Sequence, residues 1–182
     1  MIDNGNILAE IDALLSGHFP IPKFKLLKWA ESTNVDVLGA VLHVLMEASN
    51  RLDPPLNMKE YGDTALATSL SIIASGNKED SDYKYTDYEA AEVIRWWTVE
   101  CYNQRSVQEE ALARLNDVQE ALAEFYQRAT EDARRCIVDG ALEHIFEVGE
   151  LQKFFESWKD RPGLGQAYRE AKEWADWKMR QA

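Results

Sequence analysis

The chain has 182 residues, of which 46% are apolar, and its 20 Lys or Arg against 32 Asp or Glu give a formal net charge of −12. A length of this order fits one domain, or two small ones, that can bury about 70% of the extended chain's surface without a metal or disulfide. Such a charge repels phosphate backbones and anionic lipid, which argues against nucleic acid and membrane surfaces as partners and leaves a basic protein as the complementary one.

Met1 to Asn6 lack the basic n-region of a signal peptide, so no secretory leader is expected. The first apolar-periodic stretch predicts a helix over 6–16. Pro20 and Pro22 close it and introduce a short helix over 22–31, with Lys23, Lys25 and Lys28 on its solvated face and Phe24 and Leu27 on the other. The most apolar run, Val37 to Met46, falls in a helix over 35–51. A bilayer span takes about 20 apolar residues, so this run reads as a core helix. Asp53-Pro54-Pro55 stops it, because proline removes a donor and its ring blocks the preceding turn.

A helix over 57–75 follows. Residues 76–85 (GNKEDSDYKY) are polar and charged and read as a loop. They are also the boundary if the single helical domain expected over 1–182 divides into subdomains. Further helices are predicted over 87–104, 107–138, 141–158 and 164–180, the last introduced by Arg161-Pro162-Gly163. Cap signals stand at Thr33 with Asp36, Asn57 with Glu60, Thr86 with Glu89 and Ser106 with Glu109; in each the cap oxygen and the acid can satisfy first-turn N–H groups. In the longest helix Ala111, Leu115, Val118, Leu122, Phe125, Ala129 and Cys136 form one narrow stripe, the pattern of a helix packed along a partner helix. No Asn-Gly or Asp-Gly lies between alternating segments, so strands are not expected. The fold class is all-α, an irregular bundle of about seven or eight helices.

Candidate chemistry is sparse. Cys101 and Cys136 lie inside helical stretches with no partner at metal-ligand spacing, as expected of reduced thiols in a cytoplasmic protein. Of the three histidines, His18 falls in a turn and His43 in the apolar helix, while His144 has Glu147 one turn on, which reads as an ion pair with a shared metal as the alternative. No nucleophile elbow, phosphate loop or cofactor motif is present, so no catalytic residue, cofactor or metal is assigned.

Acids three residues apart recur at Glu89 and Glu92 and at Glu173 and Asp176. Such pairs on facing helices resemble the magnesium-binding pattern of the all-α nucleotide pyrophosphohydrolases. The resemblance implies a carboxylate-metal hydrolase, with these four side chains around the ion. That family keeps its pairs close in sequence, whereas here they are widely separated.

Tyr168, Ala171, Trp174 and Trp177 recur every third residue of the last helix, either docking it onto the bundle or exposing an anchor for a partner. Trp96 and Trp97 point about 100° apart, so at least one should reach the core. Tyr83, Tyr85 and Tyr88 sit in or beside the polar loop with Glu79, Asp80, Asp82 and Asp87. Aromatic contact area inside negative charge suits a cationic surface. The expected function is an acidic helical protein-binding module, of the inhibitor or immunity type, that meets a basic protein through Asp80, Asp82, Tyr83 and Tyr85. The hydrolase is the alternative from another class.

Overall fold

A computed structural model describes residues 4–76 and 85–181. Helix dominates them, and their strands are one parallel pair of two residues each, with Ile21–Pro22 (β1) beside Leu52–Asp53 (β2). The protein is all-α, as the punctuation predicted. Among the described residues no helix is long and apolar enough to cross a membrane. Contacts divide the chain into two compact units, Met1–Asp87 and Tyr88–Ala182.

The first unit is built on Val35–Ala48 (α3), which carries the most apolar run. Val37, Leu38, Ala40, Val41, Leu42, Val44, Leu45 and Ala48 are all buried, so nearly every side of α3 is covered. A helix apolar all round belongs in a core. Asn4–Ser16 (α1), Lys23–Trp29 (α2) and Met58–Ser75 (α4) pack on it. The guanidinium of Arg51 closes the end of α1, donating to the carbonyls of Leu14, of Leu15 at 3.2 Å and of Phe19 at 2.7 Å. A cation suits that end, where orphan carbonyls and the helix dipole are negative. The start of α4 is a complete capping box: Asn57 accepts from the Glu60 N–H at 2.8 Å, and Glu60 accepts from the Asn57 N–H at 2.9 Å.

Two details differ from the sequence reading. The cap of α3 is Asn34, which accepts from the Val37 N–H at 3.1 Å, one residue after Thr33. In α2 the buried side chains are Leu26 and Trp29, while Phe24 is 67% exposed. Leu26 and Trp29 are an i,i+3 pair and so share one side of this short helix, which packs on α3.

In the second unit the long helix expected over 107–138 is broken. Asp87–Gln104 (α5) ends in a turn at 104–108, so Glu109–Arg128 (α6) starts after Gln108 and Ser106 does not cap it. Ala129 then leaves helical geometry, and Thr130 opens Glu131–Ile137 (α7) by accepting from the Ala133 N–H at 3.3 Å. Far from ending at 138, the chain widens into one π turn, Val138–Leu142, and runs on as Glu143–Phe146 (α8). Gly149–Phe154 (α9), a 3-10 turn over Glu156–Asp160 and Leu164–Met179 (α10) complete the unit.

Its core is aromatic. Phe146 lies 5.6 Å from Phe155 and 5.3 Å from Tyr168, and Phe155 lies 5.3 Å from Trp158, between ring centroids. The stripe on α6 is buried from Ala111 to Leu122, and the buried Gln119 donates to the Phe154 carbonyl at 2.9 Å, tying α6 to α9. At Gly140 an added Cβ would stand 2.9 Å from the Ala91 Cβ, so the π turn rests directly on α5.

Candidate functional site

The loop contacts expected from the sequence fall only in part on described residues. Asp80, Asp82 and Tyr83 lie outside them. Tyr85 is half-buried and near Tyr61, whose phenol donates to the Leu45 carbonyl at 3.2 Å and is pushed up to about 12 by burial and then by Tyr85. Asp87, read as a surface charge, is 6% exposed.

The carboxylate pairs are engaged separately. Glu92 binds the Arg95 guanidinium, with Nε at 2.7 Å, and Asp176 takes Lys172 together with the Gln152 amide at 3.2 Å. Glu89 and Glu173 are exposed. Among the described residues no group of three or more His, Cys, Asp or Glu is placed to hold a metal ion.

His144 and Glu147 do pair, Nδ1 to Oε1 at 2.7 Å, and the Lys178 ammonium joins the same oxygen at 2.7 Å. Trp174 packs its edge against the His144 ring at 4.9 Å, with Lys178 4.7 Å from the Trp174 ring. Although burial opposes it, the bonds from Lys178 and His144 hold the Glu147 carboxyl below its ordinary range. The stripe on α10 therefore divides: Tyr168 and Ala171 are core, Trp174 is half-buried, and Trp177 is 53% exposed. Of the adjacent tryptophans Trp97 is buried, and Trp96 is 38% exposed. Both thiols are buried and unpaired to each other, and burial pushes Cys101 up to about 12, which makes it a poor nucleophile at neutral pH.

A concavity with charged walls lies elsewhere in the second unit. A cleft of about 610 Å³ opens among Tyr126, the α7 residues Glu131, Asp132, Arg134 and Arg135, then Val138 and Asp139 of the π turn, and Gln166 and Glu170 of α10. Its lining runs across the break at Ala129 and Thr130, from Tyr126 of α6 to Glu131 and Asp132 at the start of α7. Both cations are committed. Arg134 donates to the Tyr126 carbonyl at 2.7 Å and the Gln127 carbonyl at 3.0 Å, closing α6, and Arg135 pairs with Asp139 at 3.6 Å. Glu131, Asp132 and Glu170 form no ion pair with a described residue, although Glu170 accepts from Gln166 at 2.7 Å. Burial and then Glu170 raise the phenol of Tyr126, with Arg134 opposing. The cleft thus joins an aromatic wall to a surplus of negative charge. The sequence reading ran one helix through Glu131 and Asp132 and set Glu170 on the last helix, and so did not bring them together. The missed signal is Thr130, a cap residue followed by two acids.

No protein-family model, curated protein or solved structure matches the chain.

Proposed function

We propose that this chain is an acidic helical protein-binding module, of the inhibitor or immunity type, which acts in the cytoplasm on a basic protein partner. The observation that carries the reading is the cleft of the second unit, where four carboxylates face two guanidiniums that are already occupied. A Lys or Arg side chain entering it would meet Glu131, Asp132 and Glu170, gaining charge-assisted hydrogen bonds. Complementary charge of this kind mainly speeds encounter and rejects acidic partners. Asp80, Asp82, Tyr83 and Tyr85 remain the proposed contacts in the polar stretch.

A defined probe tests this without a known partner. A fluorescent Arg- and Tyr-containing peptide is expected to bind the protein with strong salt dependence, while its Glu-substituted counterpart does not bind. Replacing Glu131, Asp132 and Glu170 together with Gln, Asn and Gln should weaken binding about tenfold or more, chiefly through association rate. Equal binding by the triple variant removes the cleft from the interface. If the variants Asp80→Asn and Asp82→Asn, with Tyr83→Ala, then also leave binding intact, the module reading fails.

A further inference from the structure

The two adjacent arginines of the cleft are held in different ways. Arg134 donates to the carbonyls of Tyr126 and Gln127 and stands 5.5 Å from the Tyr126 ring, so it belongs to the end of α6. Arg135 has a single partner. Its Nε lies 3.6 Å from Oδ2 of Asp139, one turn further on, a separation that carries charge attraction but no hydrogen bond. The Arg135 side chain is 77% exposed, and both residues line the cleft. The cleft thus already contains a cation, tethered to its own wall and covering one of its four carboxylates. A comparable pair lies outside it: Arg128, equally exposed, meets Glu124 at 3.4 Å on α6, and neither lines the cleft.

We propose that Arg135 is a tethered competitor for the cleft, which covers Asp139 until a Lys or Arg of the partner displaces it. The proposal rests on the reading of the cleft as a site for basic partners. An exposed ion pair is weak, because water screens it and two long side chains must be held in one geometry, so it is closed about one to five times as often as it is open. A ligand that needs the open form binds more weakly in proportion, here by about two- to sixfold. Displacement is easy, since Arg135 has no second bond to break and its guanidinium is already largely in water. Arg134 cannot act in this way, because its departure would strip the carbonyls that it closes at the end of α6. The tether makes the cleft selective. A partner with one isolated cation gains little beyond what Arg135 already supplies, whereas one with several adjacent cations also reaches Glu131, Asp132 and Glu170.

The test uses the full chain and the fluorescent Arg- and Tyr-containing peptide at about 0.15 M salt, where exposed charges more than about 8 Å apart are largely screened. Arg135→Gln should bind the peptide about two- to sixfold more tightly than wild type. Arg128→Gln removes the same charge and frees Glu124, yet should leave affinity within about 1.5-fold of wild type, because that pair lies outside the cleft. Arg135→Lys, which keeps a tethered cation, should bind more weakly than Arg135→Gln. Asp139→Asn should weaken binding less in the wild-type chain, where Arg135 covers the carboxylate, than in Arg135→Gln, where nothing does. A general charge effect would not produce that coupling. Equal gains from Arg135→Gln and Arg128→Gln, or additive effects at Arg135 and Asp139, overturn the tether and leave the cleft reading standing. A peptide that binds neither wild type nor Arg135→Gln overturns both.

Discussion

The two units bury their cores by different routes. In Met1–Asp87 one uninterrupted helix, α3, is covered on nearly all sides by its neighbours, and the surface acids Glu10, Glu60 and Asp63 each meet a lysine. In Tyr88–Ala182 no single helix plays that part. Short segments, turned at Ala129, the π turn, Val148 and Phe155, fold around Phe146, Phe155, Trp158 and Tyr168. Each turn ends one helix and begins another, so acids on separate segments come to face one cleft. Broken helices thus gather charge that a straight helix would spread around its circumference. A π turn inside such a run fits the tendency of these bulges to sit at functional places.

The largest expected effect follows from the aromatic core. Phe146→Ala removes a fully buried ring in contact with Phe155 and Tyr168, and should cost about 3–5 kcal/mol. Leu42→Ala on α3 should cost about 2–5 kcal/mol, with the outcome set by how far its neighbours relax. Denaturant unfolding followed by far-ultraviolet circular dichroism measures both. A cost under about 1 kcal/mol for Phe146→Ala, far below ordinary core truncation, would break the comparison, because the aromatic cluster would then not be the core of its unit.

An intermediate effect tests the π turn. Gly140→Ala would place a methyl group 2.9 Å from the Ala91 Cβ and 3.2 Å from the Tyr88 ring. Overpacking of this kind costs about 1–3 kcal/mol. Gly149→Ala, where an added Cβ meets nothing within 4 Å, should instead stabilise by about 0.4–1 kcal/mol through the unfolded chain. Similar melting temperatures for the two variants would mean that the π turn does not press on α5.

Legibility followed the same division. The helices of the first unit appear close to where Val37 to Met46, Asn57 with Glu60, and Pro54-Pro55 imply, because one strong apolar run and strong stop signals act in the same direction. In the second unit the stripe through Ala111, Leu115, Val118 and Leu122 is buried as its spacing implies, yet it continues in register past Ala129, where the backbone departs. Periodicity reports which face is buried, and a break that keeps the register leaves it unchanged. Only local cap chemistry marks such a break, and Thr130 bonds one N–H without a reciprocal acid. The cleft was hidden for that reason. It depends on pairs such as Asp139 with Glu170, brought together by turns rather than by spacing.

The smallest effect discriminates the two kinds of helix start. Asn57→Ala should cost about 1–2 kcal/mol and Thr130→Ala about 0.5–1 kcal/mol, within the range of measured N-cap losses. The difference has a structural cause. Asn57 and Glu60 satisfy each other's backbone at 2.8 and 2.9 Å, and Glu60 also binds Lys23 of α2 at 3.0 Å, so the box joins two helices. Thr130 makes one bond at 3.3 Å. The Asn57 N–H first, and then Lys23, hold the Glu60 carboxyl below its ordinary value. A depressed carboxyl contributes stability above its unfolded pKa, which is lost as pH falls through the folded one. Melting of Glu60→Gln should therefore fall below wild type at pH 7 and approach it as pH falls below the ordinary carboxylate range, once the wild-type carboxyl is protonated too. Thr130→Ala should show no such convergence, since a hydroxyl cap does not titrate. Equal costs at the two caps, with no acid dependence at Glu60, would show that the reciprocal box adds nothing to a single cap bond in this protein.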